Sequence, residues 1–368
     1  MKELVKGIIR DVNRISQEKG CNRYIKKYPL ETVFLMLLAH QFSGILSGRG
    51  FCRYLYEMIG DTTDTMSQSE LSKKLNHRLP IDVFRDMYFM LLGRARALQT
   101  KKIRTLRRVI RIIDSSALPA TPTMKYAKHR STKNGFKMHT VVTGEYLPEA
   151  IRLKNGRSSD KKSLKWAIKP GYIHIFDRGY NDYRQFRWIE QRPAWFITRA
   201  LSTINYIVVK NRRVGHRQRE KGILADTHIN VIENRKTGET YTMRMVTFTF
   251  IDTLGHSREF SLLTNIVDKP AEVIADLYRE RWNIEVVFRW LKTFLKIDHW
   301  MSRSRNGVLI QLYTALCAYL MALMAKLTDS RKYRIMKDSM YALARELHCM
   351  LVDIPPGSFI EQFLEKSC

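Results

Sequence analysis

Two β-branched runs, each closed by an aspartate and a turn, restrict the fold most: Arg108-Val-Ile-Arg-Ile-Ile-Asp114-Ser-Ser and Tyr172-Ile-His-Ile-Phe-Asp177-Arg-Gly-Tyr180. The first reads as a buried strand that ends in an acid and a small polar turn. The second is an alternating strand closed by Asp177 and a turn glycine. Between them, Lys137-Met-His139-Thr-Val-Val reads as another strand of the same sheet, Gly156, Arg157 and Ser158 as a polar loop, and Ser163 to Ile168 as a helix leading into the second run. Taken singly, an aspartate at a strand end is often only a turn former. The expected class is α/β.

A third segment adds chemistry: Tyr278-Arg-Glu-Arg281-Trp-Asn-Ile-Glu285-Val-Val-Phe-Arg-Trp-Leu-Lys292. As one continuous helix it would set Tyr278, Arg281, Glu285 and Lys292 within about 60° of one another. Ile284, Val287, Leu291 and Phe294 recur at helical spacing on roughly the opposite side, so one face is buried and the other offered. The offered face has one metal-grade oxygen ligand among groups that seek phosphate. The plain alternative is a surface helix laced by an Arg281/Glu285 pair.

The spacing Y-x2-R-x3-E-x6-K resembles the signature of the DDE transposases of insertion sequence family 4, bacterial cut-and-paste enzymes with a ribonuclease H-like catalytic core. All four positions match, and Ile113-Asp114-Ser115, Gly135-Phe-Lys137-Met-His139 and Asp177-Arg178-Gly179-Tyr180 occur in the family's order. The resemblance covers roughly residues 105 to 300. It implies a metal-dependent enzyme that cuts DNA at transposon ends and joins the freed 3′-OH to a target. Asp114, Asp177 and Glu285 would be the catalytic metal ligands, holding two Mg²⁺ ions, with Mn²⁺ able to substitute. Carboxylate oxygens suit such ions, and a pair about 4 Å apart activates the attacking oxygen and stabilises the leaving one. Tyr278, Arg281 and Lys292 would hold DNA phosphates, with Lys137, His139 and Arg178 as further DNA contacts; His139 equally suits a satisfied structural histidine. Relatives also excise through a hairpin and stack a flipped base on an aromatic; Trp282 and Trp290 lie on the right helix. Implied partners are double-stranded DNA, as terminal inverted repeats and as target, and a second copy of the chain in a synaptic complex.

The domain reading follows. Residues 1–100 form a helical N-terminal DNA-binding domain, with apolar periodicity in Leu4 to Ile15, Val33 to Leu46 and Val83 to Leu92. Ser67-Gln-Ser-Glu70 is a capping-box pattern, and the basic segment Ser72 to His77 suits a helix-turn-helix entering a groove, or equally a plain bundle. Residues 101–202 are the first part of the catalytic core and 263–328 the second part, with the Glu285 helix. Residues 203–262 are a β-rich insertion, with β-prone runs at Ile204 to Val209, Thr227 to Ile232, Thr240 to Ile251 and Arg258 to Leu262. Residues 329–368 form a tail that the resemblance makes a dimerisation element.

Composition agrees with a polyanionic partner: 64 Lys+Arg against 35 Asp+Glu give a formal charge of +29. The excess recurs in Lys101 to Arg108, Lys125 to Lys137, Lys210 to Lys221 and the Arg303/Arg305 pair. Five scattered cysteines lack zinc-ligand spacing and fit a reducing cytosol, so the expected location is cytoplasmic, at the nucleoid. Val308 to Leu327 is long and apolar, yet Gln311 and Lys326 interrupt or flank it, and it reads as a buried helix rather than a membrane span. Two rival functions share these features: a metal-dependent nuclease on the same core, and a non-catalytic DNA-binding protein derived from a transposase.

Overall fold

The structure, a computed structural model, describes the chain except residues 1, 23–27, 60–65, 100–108, 128–133, 235–238, 252–254, 330 and 353–368. The basic stretch Lys101 to Arg108, much of Lys125 to Lys137 and the end of the C-terminal tail therefore lie outside the described residues. The chain divides into two compact units. A helical unit comprises Met1–Lys102, Leu118–Phe136 and Phe288–Cys368, and a sheet unit comprises Ile103–Ala117 and Lys137–Val287.

The helical unit begins with α1 (Lys2–Glu18), α2 (Leu30–Ser43), α3 (Gly48–Ile59), α4 (Gln68–Lys73) and α5 (Ile81–Gln99). In α1, Val5, Ile8, Ile9, Val12 and Ile15 form one buried stripe, as helical periodicity demands. Helix α2 is apolar nearly all round and correspondingly buried, and it stops where Gly44 turns left-handed at φ 72°. Ser67 caps α4 by accepting the Glu70 N–H at 3.2 Å, while the Glu70 carboxylate accepts from Arg78 at 3.0 Å. The chain then widens into a π-helical turn over Lys74–Arg78. Within the expected groove-entering segment Lys74 is buried and donates to the Tyr28 carbonyl at 3.2 Å, and Asn76 accepts from Ser302 at 2.6 Å.

The sheet unit contains one nine-stranded sheet. Its elements are β1 (Ile110–Pro119), β2 (Gly135–Thr143), β3 (Pro148–Asn155), α6 (Asp160–Ala167), β4 (Ile173–Phe176), α7 (Tyr183–Glu190), β5 (Trp195–Arg199), β6 (Tyr206–Asn211), α8 (His216–Glu220), β7 (Ile223–Asn234), β8 (Glu239–Ile251) and β9 (Ser257–Thr264). The strand order is β3-β2-β1-β4-β5-β9-β8-β7-β6. Strand β4 runs parallel to both β1 and β5, and this half fits the ribonuclease H-like core. Strand β1 does not end at Asp114 as its sequence suggested; it continues to Pro119. The β-prone runs of residues 203–262 do form strands, but they extend the core sheet: β9 pairs antiparallel with β5, and β8, β7 and β6 follow. Phe176, Phe186 and Phe196 pack the core beside the parallel strands, with the Phe186 and Phe196 rings stacked at 4.5 Å. At the far end β6 is exposed along its whole length, and its register with β7 shifts between Val208 and Lys210.

Beyond β9 the chain forms α9 (Ala271–Arg279) and α10 (Trp282–Arg289), a π-helical turn at Trp290–Phe294, then α11 (Arg305–Thr328) and α12 (Met336–Val352). Helix α11 is the apolar segment that could pass for a membrane span, and 89% of its most apolar window is buried within the protein. It packs against α2, α5 and α12. Its polar Gln311 is fully used, accepting from the Met301 N–H at 3.0 Å and donating to the His299 carbonyl at 2.6 Å. Ser304 caps the helix on Gly307, and Asn306 donates to the carbonyls of Leu75 and Leu79.

Candidate active site

Register builds the site. Ile113 of β1 lies opposite Phe176 of β4, and Phe176 opposite Thr198 of β5. The next residue on each chain is therefore Asp114, Asp177 and Arg199, a charged row across neighbouring segments about 4.8 Å apart. Ionisation of Asp177 acts on Asp114 and on Arg199, as this adjacency requires. Burial pushes the Asp114 carboxyl up to about 6; the Ser115 N–H, bonded to Asp114 Oδ1 at 2.7 Å, and the Arg281 guanidinium oppose the rise. Arg199 escaped the sequence reading because nothing local marks it. Only the register of β5 brings it beside Asp177, where its guanidinium lies 3.8 Å from the Phe260 ring centroid.

The segment Tyr278 to Lys292 is not the single helix its spacing suggested. Helix α9 stops at Arg279, the chain turns at Glu280 and Arg281, and α10 starts at Trp282. Tight i→i+3 bonds hold the turn, from the Glu280 N–H to Leu277 and from the Arg281 N–H to Tyr278. Asn283 fastens it further by donating to the Glu280 carboxylate at 2.6 Å. No proline or glycine announces this break. After the turn, Arg281 reaches both acids: its Nη2 lies 2.8 Å from Glu285 Oε1 and its Nη1 lies 3.8 Å from Asp114 Oδ2. Tyr278 is buried, and burial pushes its hydroxyl up to about 12, with Asp177 and Asp114 adding to the rise and Arg281 opposing it. Exposed Trp282 packs its ring against the Arg281 guanidinium, 5.0 Å from the centroid. Lys292 sits in the π-helical turn of the helical unit, where burial lowers its pKa against the pull of Asp298. Trp290 is engaged there with Phe294, ring centroids 4.2 Å apart.

The remaining expected contacts are placed differently from one another. Arg178 is exposed, next to Asp177 and close enough to repel Arg199. Lys137 turns to Asp160, which accepts from its Nζ at 2.6 Å. His139 is buried between Ser158 and Ser163, and burial lowers its pKa to about 4, so it is neutral. Its Nε2 is engaged by these two hydroxyls, while its Nδ1 is buried with no hydrogen-bond partner among the described residues. Asp160 lies outside the motifs, and the buried Tyr180, on which Asp114, Asp160 and Asp177 all act, closes the Asp177 motif but was given no site role there.

Asp114, Asp177 and Glu285 offer only carboxylate oxygens, the donor set of a hard divalent cation. Among the described residues, no three acid, histidine or cysteine side chains are gathered closely enough to hold one ion as they stand. The Arg281 guanidinium now supplies the positive charge between Asp114 and Glu285. The elevated pKa of Asp114, raised by burial and by neighbouring acids, marks a negative charge that a cation would stabilise. In chemistry, the residues fit such an ion.

Comparison with known proteins agrees with this arrangement. The family model described as a transposase DDE domain matches residues 105–321. The y4zB protein of Sinorhizobium fredii, described as a transposase, is 30% identical over 247 residues, covering 66% of this chain and 67% of its own. A Geobacillus stearothermophilus protein described as a transposase for insertion sequence element IS5377 is 24% identical over 263 residues, covering 69% and 66% of the two chains. One from Synechocystis described as a transposase for insertion sequence element IS4SA is 24% identical over 271 residues, 71% of each. With more than half of its length matched by that model, and with Asp114 and Asp177 following paired residues of parallel strands while Arg281 links Asp114 to Glu285, the chain belongs to the DDE transposase family.

Proposed function

We propose that this protein is the transposase of a bacterial insertion sequence. It cuts DNA at the element's inverted repeats and joins the freed 3′-OH to target DNA, acting from the cytoplasm as a homodimer that pairs two ends. The observation that carries the reading is the adjacency of Asp114 and Asp177 in register, with Glu285 linked to Asp114 through Arg281. Asp114, Asp177 and Glu285 would hold two Mg²⁺ ions, replaceable by Mn²⁺. Such ions supply positive charge that activates the attacking oxygen and stabilises the leaving one. Arg281, with its two-pronged planar donor, orients a backbone phosphate beside the acids once it no longer neutralises them. Tyr278 keeps its proton at any working pH, so it donates a hydrogen bond rather than carrying charge. Arg199 and Arg178 add positive charge next to Asp177, where a phosphate would approach. Lys292 donates a hydrogen bond to a further DNA phosphate, and residues 1–100 read the end sequence.

The test uses the full chain, a linear DNA carrying the element's own ends, Mg²⁺ and a target plasmid. The wild-type protein should yield cut and joined products. Asp114→Asn, Asp177→Asn and Glu285→Gln should each yield none while still retarding the DNA in a gel. Cutting without joining would make the protein a nuclease on the same core; binding without cutting by the wild type would leave a DNA-binding protein only. Normal cutting by any of the three variants would remove that residue from the catalytic set.

A further inference from the structure

Asp160, the first residue of α6, is tied to the immediate surroundings of Asp114. Its Oδ1 accepts from Ser115 Oγ at 2.7 Å, and Ser115 in turn donates its backbone N–H to Asp114 Oδ1 at 2.7 Å. Its Oδ2 accepts from Lys137 Nζ at 2.6 Å, so one carboxylate joins the β1 strand to the β2 strand beside the acids. The bracing continues behind it. His139 Nδ1 lies 3.7 Å from Asp160 Oδ1, and His139 Nε2 meets Ser158 Oγ at 3.3 Å and Ser163 Oγ at 3.2 Å. Ser163 Oγ also donates to the Ser159 carbonyl at 3.1 Å, which fixes the start of α6. An acid in a first helical turn is commonly explained by the positive end of the helix. Here both carboxylate oxygens are instead committed to side chains of neighbouring strands.

We propose that Asp160 is a positioning residue of the carboxylate site: through Ser115 it sets the orientation of the Asp114 carboxylate, and it holds Lys137 at the site's edge. The inference rests on the reading of Asp114 as a metal-binding catalytic acid. Its consequence is kinetic. A carboxylate that is free to turn must be reordered at each encounter with a cation, and misplacement by about 1 Å can lower a rate roughly 10²-fold. Replacement of Asp160 should therefore act on the cation and on the chemical step, and leave the grip on DNA unaltered.

The experiment compares Asp160→Ala, Asp160→Asn, Ser115→Ala and the Asp160→Ala/Ser115→Ala double variant with wild type, and includes Asp114→Asn as a control. Three quantities are read: Mn²⁺ binding to the DNA-free protein from the paramagnetic resonance of the free ion, single-turnover cutting of pre-bound ends at a series of Mg²⁺ concentrations, and the melting temperature. The expected result is weaker Mn²⁺ binding and a cutting rate about ten- to a hundred-fold lower for Asp160→Ala. Ser115→Ala should give a similar loss, the double variant should be no worse than the worse single one, and end affinity should be unchanged. Asp160→Asn keeps an acceptor for Ser115, so it should fold even if Asp160→Ala does not, and it should recover much of the rate. Losses that add in the double variant and follow the melting temperature, with Mn²⁺ binding unmoved, would reduce Asp160 to a structural residue and overturn the proposal. So would wild-type behaviour of Asp160→Ala alongside an inactive Asp114→Asn, an outcome that leaves the catalytic reading standing. Wild-type cutting by Asp114→Asn would bring that reading down instead, whatever Asp160 does.

Discussion

At the scale of single residues, Asp114 and Arg281 are a half-buried acid and its internal counter-ion, and both have measurable consequences. Burial in the folded protein holds the Asp114 carboxyl up to about 6, above the ordinary aspartate range of about 4. The folded state therefore favours the protonated acid, and stability of the metal-free protein falls as pH rises from about 4 to about 6, where the full penalty is reached. Asp114→Asn removes that penalty. In EDTA, urea unfolding should find the variant gaining on wild type through this window and level with it below pH 4. Arg281 spans two acids because it has two arms, 2.8 Å from Glu285 and 3.8 Å from Asp114. Arg281→Lys offers one rotating ammonium, so pre-bound ends should be cut about ten-fold or more slowly, with end affinity within a few-fold of wild type. A wild-type rate would show that the fork does no positioning. Arg281 and Glu285 were legible in the sequence because their spacing is local. Arg199 and Asp160 were not, because they reach the acids only through strand register and side-chain bonds between residues 22 or more positions apart.

Among the elements, β7, β8 and the loop after β9 are fastened by Arg244, whose side chain is fully buried. It forms two 2.8 Å bonds to the Asp226 carboxylate and also donates to the carbonyls of Ile266 at 3.0 Å and Lys269 at 2.6 Å. Arg244→Met would leave Asp226 with Arg212 alone, at 3.2 Å, and two carbonyls short of a donor. Breaking one side of a buried pair costs about 3–5 kcal/mol, so urea unfolding should show a loss of that order, with the lower end favoured by the surviving Arg212 contact. An unchanged midpoint would mean the pair is neutral. Element existence was readable wherever apolar patterning was strong: the four β-prone runs after residue 203 all became strands, α1 and α5 lie where their apolar stripes fall, and α2, apolar nearly all round, stops at Ser43, short of Leu46. Strand β3, alternating in neither apolarity nor burial, was passed over. The continuity of the inserted strands with the core sheet was also hidden, because the pairing of β5 with β9 joins residues more than sixty apart. The turn at Glu280 and Arg281 was missed since its residues are ordinary helix formers.

For the whole molecule the dominant quantity is the formal charge of +29. If many of these cations meet phosphates, affinity for DNA should fall by roughly 10³-fold or more between 50 and 200 mM salt, with a linear log–log slope that counts the contacts. Nearly flat binding would rule out an extended phosphate track. The same charge has a second bearing, at the edge of the sheet. Strand β6 exposes Tyr206, Ile207, Val208 and Val209 with no further strand beyond it among the described residues, and an open edge of this kind invites pairing with another chain. The register shift near Val208 disturbs the edge locally, whereas Lys210, Arg212 and Arg213 keep like-charged copies at a distance. Salt shrinks that distance, to a screening length of about 3 Å at 1 M. The brine that strips nucleic acid from the protein should thus also be the medium in which its molecules adhere, turbid on standing and clear again on dilution, and a lysine in place of Val208 should keep the solution clear.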